Sequence, residues 1–551
     1  AGASRCVLGA DLGDVLDVST GRSVLDLDAA SVLTGKTDGV GAMTLSGNSH
    51  WDMTGSSNAG DLVVASSVIQ FPTPGAAGHS LLSVTGNYHG DNALLALNTR
   101  LDGDASPTDR MHVHGSTSGT TGLRILNAGG TGAQTADGIE VITVDGASDG
   151  LFRLEGRAVA GAHEYFLHKG AKTDPDNGDW YLRSELDPCS EPGAEGCPVD
   201  PPVIDPPVID PPVIDPPVGP GPGPGPGTGP GPEPRPIIRP EVGAYLALQA
   251  LAVGSMRHQL HDRVGEPALD TRDSASSSSL GTWARVQTDQ IGFDVVDQVE
   301  VRSRGNQLQI GSHLVHWGER GYGMVGVMAS AVRGSVTAWS PLSGYRAAGS
   351  LRGQVLGIYG TWYGDHDLKP GWYVDAYAQH GRFRHAVSGE ALQQEGYRTR
   401  ATVLSVEGGQ AFSVLEGAER HLMLEPQVQL SYADTPGTSH TEANGTHVRT
   451  HETGGLQARL GVRVMQREMT TGHHVVQPFL LLNWYRHMRG NSIAFDGDVL
   501  SGGTPANVHE VKAGAQLQLG NQLTGWGQAG MRRGSGGYHT VGGQIGLKYS
   551  W

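Results

Sequence analysis

The chain has 551 residues, too many for one ordinary domain; Gly supplies 83 of them, about 15% and roughly twice the usual share, and charged residues only 17%. Mean hydropathy is −0.27 and no run of about 20 apolar residues occurs, which excludes a helical membrane protein; so much Gly also argues against a helical enzyme, while a membrane β-barrel, whose alternating strands average out, stays open. The net charge of −17 is uneven: residues 1–197 hold 11 Lys+Arg and 25 Asp+Glu (net −14), residues 198–240 hold 2 and 5 (net −3), and residues 241–551 hold 26 and 26 (net zero), so no basic stripe offers a nucleic-acid site.

In chain order, Ala1 stands where a Met would begin an open reading frame, so the chain reads as processed or as a fragment. Residues 30–186 read as short strands broken by Gly, Asn, Asp and Ser, among them AMTLS at 42–46, SHWDMT at 49–54, DLVVA at 61–65 and SVIQF at 67–71. Their short, irregular recurrence predicts a solenoid of stacked rungs, a parallel β-helix; a β-sandwich is the alternative. Cys189 and Cys197 bracket the loop CSEPGAEGC. They read as a small disulfide loop if the chain leaves the cytoplasm and as free thiols otherwise, and Cys6 is left without a partner.

Residues 198–236 hold seventeen of the 31 prolines in repeats of PPVID and GP. No core can form there, and a polyproline-type spacer reaching about 100 Å is expected. A ligand for a Pro-binding domain is disfavoured because basic anchors are nearly absent. Pro240 and Glu241 then open about 20 residues rich in Ala and Leu, with Arg257, His258, His261 and Arg263 towards the end. One slim helix over about 240–264, near 36 Å long, is predicted. A Ser/Asp-rich loop covers 265–280.

From 281 to 551 the period is two. Val541, Gly543, Ile545, Leu547, Tyr549 and Trp551 alternate with Thr540, Gly542, Gln544, Gly546, Lys548 and Ser550. Val428, Leu430 and Tyr432 alternate with Gln427, Gln429 and Ser431. A soluble sandwich would alternate as well. Strands of ten or more residues, a second face of Glu, Lys, Arg and Gln, and Tyr and Trp near strand ends point to a membrane barrel of about twelve strands.

This arrangement resembles a monomeric (type Va) autotransporter of the pertactin and diffuse-adherence adhesin group. RPEVGAY at 239–245 with LHDR at 260–263 resembles that family's pore helix, TWARV at 282–286 its first barrel strand, and LEPQVQL at 424–430 and QPFLLLNW at 477–484 later ones. Upstream, YHGDN at 88–92, SPTDR at 106–110, AHEY at 162–165 and DWYLR at 179–183 resemble its autochaperone module. The resemblance implies an all-β chain: a right-handed parallel β-helix passenger segment, then a 12-stranded antiparallel transmembrane β-barrel with a single α-helix in the lumen. The implied division is 1–197 passenger end with autochaperone, 198–239 linker, 240–264 pore helix, 265–280 loop and 281–551 translocator barrel.

The implied function is export and surface display of the chain's own, adhesin-like passenger from the bacterial outer membrane, with possible release. Implied partners are outer-membrane lipid, the barrel-assembly machinery, periplasmic chaperones and a ligand on a host or neighbouring cell; the barrel is expected to be monomeric. Ile545, Leu547, Tyr549 and Trp551 would form the assembly signal, Tyr245, Leu246, Leu248, Arg257, Asp262 and Arg263 the pore helix, and Leu94, Leu95, Leu97, Leu123, Ile125 and Leu126 the autochaperone core. Residues 235–265 lack Asn, so self-cleavage by Asn cyclisation is not expected; Glu241 and Asp262 read as a helix cap or an Arg partner. About 190 residues is short for such a passenger, so further residues upstream are expected. An outer-membrane channel with an external binding domain, or secretion of an enzyme domain lying upstream, are the alternatives.

No residue set reads as catalytic, cofactor-binding or metal-binding. GASDG at 146–150 matches the G-x-S-x-G nucleophile pattern, but LFRL follows it as a strand where a hydrolase needs a helix. Asp102, Asp104 and Asp109 lack calcium-loop spacing and read as a solvated turn. His473, His474 and the other histidines lack metal spacing, and Asp365, His366 and Asp367 read as a solvated turn.

Overall fold

The computed structural model describes residues 5–7, 15–17, 23–185, 235–265, 281–317, 322–364, 372–417, 420–468, 476–519 and 522–551. Cys189 and Cys197, the Pro-rich run 198–234, the loop 266–280, Asp365–Asp367 and His473–His474 lie outside them.

In residues 23–185 apolar side chains at every second position make short strands that bury one face, and each strand pairs in parallel with the one two further along. Val24–Leu27 pairs with Val40–Leu45, which pairs with Ser57–Ala65, and the latter pairs with Leu81–Val84 and with the start of Tyr88–Thr99. A second line runs through Val32–Asp38, His50–Met53, Val68–Gln70, Tyr88–Thr99, Thr117–Asn127 and Leu151–Leu154. Its register sets Leu33, Trp51, Ile69, Leu95, Leu123 and Leu154 over one another, the first five buried. Rung stacking therefore builds one continuous core from local repeats. The parallel pairing is not the antiparallel order of a sandwich.

Towards residue 185 the parallel order ends. Ile139–Val144 pairs antiparallel with Trp180–Arg183, which pairs with His163–Lys169, itself hairpinned on Ala158–Ala160. This antiparallel unit covers the open edge of the last rung, which would otherwise template pairing with other chains. Phe152 packs against Tyr88 and Trp180 there, with ring centroids 6.1 and 5.3 Å away.

From Gly281 on, twelve antiparallel strands close on themselves: Gly281–Val295, Val299–Trp317, Tyr322–Trp339, Arg346–Tyr363, Trp372–Gly389, Glu395–Gln410 (continued past Ala411 by Phe412–Glu416), Arg420–Asp434, Gly455–Glu468, Val476–His487, Asn507–Gln518, Leu523–Gly534 and His539–Ser550. The first and last pair from Gly281 opposite Ser550 to Gly292 opposite His539, so no edge is left open. The alternation is inside out relative to a soluble protein. Arg285, Gln309, Asp375, Gln379, Glu407, Gln429, Arg459 and Glu510 are buried in the lumen, whereas Leu308, Ile310, Leu356, Ile358, Val428 and Leu480 are exposed. Trp317, Trp372, Tyr549 and Trp551 ring one end of this belt, and Tyr432 and Trp484 the other.

The expected lumenal helix is present. It runs as α1 (Glu241–Gly254), breaks at 255–259 and resumes for about one turn as α2 (Leu260–Val264). Two long loops, 435–454 and 488–506, fold into a small antiparallel sheet at the end where α1 begins, made of Ser439–Thr441, His447–Glu452, Ser492–Phe495 and Asp498–Ser501.

Candidate functional site: the plugged lumen and its mouth

α1 is apolar around its circumference and almost wholly buried. A helix of this kind fits only where every side is covered, and the barrel wall is shaped to cover it. Inward-facing Gly305 and Gly334 make room for Leu251, whose methyls would lie 3.1 Å from a Cβ at either position, and Gly349 does the same for Leu248. In return Gly243 lets the helix approach the second strand, because a Cβ there would sit 2.6 Å from Val301.

Polar bonds fix the helix along its axis. The Tyr245 hydroxyl bonds His440 Nε2 at 2.9 Å and Glu442 Oε1 at 3.0 Å, and Arg239 Nη2 reaches Glu442 Oε2 at 2.6 Å. Asn491 donates to the Leu246 carbonyl at 2.9 Å. The break at 255–259 frees carbonyls that a continuous helix would satisfy; Gln379 donates to Met256 O at 2.7 Å and Gln429 to His258 O at 2.8 Å. Arg257 lies in this break, outside either helix, and donates to Gly455 O at 3.1 Å.

α2 is bound mainly by charge. Asp262 and Gln259 cap its start reciprocally. Arg263 forks onto Asp375 at 2.5 and 3.3 Å and lies 4.0 Å over the Tyr359 ring, and His261 Nε2 is 2.7 Å from Glu425. Asp262 Oδ1 accepts from Gln528 at 2.5 Å and faces Lys512 at 3.4 Å. Asp262 is thus a cap that also binds the wall. Glu241, the other acid weighed as cap or Arg partner, pairs with Arg157 at the mouth.

Arg157 comes from the antiparallel end of the rung stack. Its Nε donates to Glu164 Oε1 at 3.0 Å and its Nη2 to Glu164 Oε2. Nη1 and Nη2 donate to the two Glu241 oxygens at 2.7 and 3.1 Å, and Nη1 also to Glu390 O at 3.2 Å. The guanidinium lies 4.6 Å over the Tyr345 ring of the barrel, on which Phe166 of the rung stack also stacks at 6.2 Å. All three charged groups are buried. Burial pushes the Glu164 carboxyl up to about 7 against the pull of Arg157. Around this centre, Glu164 N donates to Ile237 O at 3.0 Å and Arg239 N to Ala162 O at 3.0 Å, so the residues just before α1 pair with the stack. His163 Nε2 reaches Asp498 at 2.8 Å, and Gly161 N donates to Thr446 at 3.1 Å. The end of the rung stack, residues 237–239, the start of α1 and the mouth loops form one interlocked joint.

The residues singled out from sequence fall as follows. Tyr245, Leu246, Leu248, Asp262 and Arg263 are buried in the lumen. Ile545, Leu547, Tyr549 and Trp551 form one exposed row on the last strand and just past it. Leu95, Leu97, Leu123 and Ile125 are inside the stack. Leu126 is not: it points outward, 42% exposed, and Leu94 is only half-buried, because both sit one residue out of phase with the buried face. The solvated-turn reading holds for Asp104, exposed in the turn at 104–105, and for the part-exposed Asp102 beside it, and is corrected for Asp109. Asp109 is fully buried and accepts Ser80 N at 2.7 Å and Asn98 N at 2.8 Å, while Asp102 and Asp104 accept amides at 131 and 136–138 on the next rung. They tether backbone to backbone across rungs. Ser148 of the G-x-S-x-G match donates to Gly178 O at 2.7 Å, with Leu151–Leu154 following as a strand. Among the described residues one group of three, His112, His114 and Asp145, brings possible metal ligands together. Sequence reading missed it, as it missed Arg157.

Comparison with known proteins agrees with this geometry. Residues 57–167 match the family model Autochaperone Domain Type 1, and residues 279–530 match Autotransporter beta-domain. The chain is 33% identical over 489 residues to the uncharacterized protein YdeU of Escherichia coli K12, covering 86% of this chain and 98% of that one. It is 28% identical over 497 residues to the autotransporter adhesin AIDA-I of Escherichia coli, covering 87% of this chain but 35% of AIDA-I, about a third of its length. The solved transport unit of AIDA-I superposes with a TM-score of 0.51 at 22% identity, over 57% of this chain and all of that one.

Proposed function

The chain belongs to the autotransporter family, and from that premise we propose that its barrel, sealed by α1 and α2, exports and then anchors an adhesin-like passenger that stays docked on the barrel mouth. The barrel sits in the bacterial outer membrane with the passenger at the cell surface. The division 1–197, 198–239, 240–264, 265–280 and 281–551 is the working one. The rung stack is a right-handed parallel β-helix whose last, antiparallel unit folds first outside and templates the rungs above it; no ATP or membrane potential is needed, because each added rung buries new apolar surface. Leu95, Leu97, Leu123 and Ile125 form the core of that template.

A non-enzymatic role follows from the likeness to adhesin autotransporters. Barrel-assembly machinery and periplasmic chaperones are the biogenesis partners, with Ile545, Leu547, Tyr549 and Trp551 as the outward row that the machinery reads, and a ligand on a host or neighbouring cell is the passenger's target.

The observation that carries the reading is the mutual fit of helix and wall, Gly against Leu along α1 and charge against charge at α2. A channel would need that path open. Single-channel recording of the full chain in planar bilayers tests it: the intact protein should be electrically silent, and deletion of 240–264 should open a steady conductance. Equal conductance in both would favour the channel reading instead.

A further inference from the structure

The strand Arg110–Val113 sends Met111 and Val113 into the core, so His112 and the following His114 share its outer face. The neighbouring rung runs in register, with His112 beside Thr143 and Val113 beside Val144, and Asp145 N donates to Val113 O at 3.0 Å. This sets Asp145 alongside His114. Its two oxygens lie 3.0 Å from His112 Nε2 and 2.8 Å from His114 Nδ1, and the imidazole centroids are 4.0 Å apart. The three donor atoms fall within 4.8 Å of one another. Ligands about 2.0–2.2 Å from a tetrahedral zinc are about 3.3 Å from each other, so a small inward rotation of two surface rings converts the hydrogen-bonded group into a coordination site.

We propose that His112, His114 and Asp145 bind a borderline divalent cation of the zinc class, stapling two consecutive rungs of the displayed domain. Two imidazoles and one carboxylate select zinc, nickel or copper over calcium or magnesium, which prefer all-oxygen sets. Binding needs no net proton release from neutral rings. His112 Nε2 and His114 Nδ1 give up their hydrogens to the opposite ring nitrogens, and Ser83 Oγ, 3.3 Å from His114 Nε2 on the preceding rung, stands ready to accept the second. Three protein ligands leave a fourth position for water or for a ligand from another molecule. The staple spans the rungs Arg110–Val113 and Ile139–Val144, so metal would lock the lower part of the stack after export, when the chain meets cations outside the cell.

The probe is Zn²⁺ itself, titrated calorimetrically into the chelator-stripped full chain in detergent, with Co²⁺ absorption as the coordination readout. The chain has 23 histidines, so the measure is the difference between wild type and variants. Wild type should bind one more equivalent than His114→Ala or Asp145→Asn, show the intense visible bands of tetrahedral Co²⁺, and gain thermal stability with Zn²⁺ that both variants lack. His89→Ala, elsewhere on the rung stack and bonded to Ser118, should behave as wild type. These surface substitutions leave the core untouched, so circular dichroism should match in all. The same stoichiometry and Co²⁺ spectrum in wild type and both variants would overturn the site and leave a hydrogen-bonded surface triad.

Discussion

The rung stack and the barrel use the same local grammar, apolar and polar residues in alternation, and invert its meaning. In the stack the apolar face is enclosed: Trp51, Ile69, Leu95 and Leu123 are buried in one column. In the barrel the enclosed face is polar, with Arg285, Glu407 and Arg459 buried, and the apolar face is outside. The difference teaches that a period-two pattern specifies which residues share a face but not which solvent that face meets. What decides is the connection. Parallel rungs wind around a dry interior, whereas long hairpins closed edge to edge enclose a space too wide for side chains alone, which polar groups and α1 then fill. A single charge placed on equivalent apolar positions should therefore give opposite results in different places. The largest effect is expected from Leu95→Asp, which buries a carboxylate with no partner and should cost the stack about 4–5 kcal/mol, read as a drop in its denaturation midpoint. Leu126→Asp, on the outer face of the adjacent rung, should stay within about 0.5 kcal/mol. Similar losses for both would mean that the outer face is covered.

The joint between the two regions is where their opposite interiors meet, and there charge is buried from both sides. Arg157→Met leaves Glu164 and Glu241 facing each other without water. Breaking such a pair typically costs about 3–5 kcal/mol, so the stack should undock while both domains remain folded, seen as new protease sensitivity around residue 237. Adding Glu164→Gln and Glu241→Gln to Arg157→Met should restore much of the docking. Failure of that rescue would show that geometry at the mouth, rather than compensated charge, holds the joint.

On the barrel's outer face the expected sign reverses relative to an ordinary surface. Leu356 is 70% exposed in the fourth strand, and Leu356→Arg there should destabilise the barrel by about 2–4 kcal/mol, because the surface meets hydrocarbon. The heat-modifiable gel shift of the barrel should appear at lower temperature. An unchanged transition would place Leu356 outside the hydrocarbon belt.

The barrel was legible because its strands are long enough to show both faces: Glu425, Gln427 and Gln429 against Val428 and Leu430 predict a polar lumen and an apolar outside, and the first three are buried and the last two exposed. The slim helix was legible from Pro240 and the Ala/Leu run, but its break was not, since 255–259 holds no Pro or Asn and the partners that make the break affordable, Gln379 and Gln429, lie more than 100 residues away. Leu126 was misread because a run such as LRILN contains two apolar phases and only the register, which sets Leu123 beside Leu95 and Ile125 beside Leu97, chooses between them. Arg157 and the triad of His112, His114 and Asp145 were invisible for one shared reason. Each is assembled by pairing between segments, and pairing between segments is what composition and spacing within one segment do not encode.

A graded effect, smaller than breaking the joint outright, is expected on pH. Glu164 has an ordinary value of 4.5 and is pushed by burial to about 7 in the docked joint. When the joint opens and Glu164 meets water, its pKa falls back towards the ordinary value. Between the two values the docked form holds a proton that the open form releases, so docking strengthens as pH falls from 7 towards 4.5 and is weakest above 7, where both forms are ionised and the docked one bears the uncompensated burial. The full swing is on the order of 1–3 kcal/mol, smaller than the loss of Arg157 because the carboxylate keeps its guanidinium partner throughout. Hydrogen exchange at the amides of Glu164 and Arg239, which donate to Ile237 and Ala162 across the joint, reports it once intrinsic rates are divided out. Protection should rise from pH 8 to pH 5, and Glu164→Gln, which holds the neutral state at all pH, should flatten the profile near its low-pH level. A slope that survives in Glu164→Gln would reassign the proton to another group at the mouth.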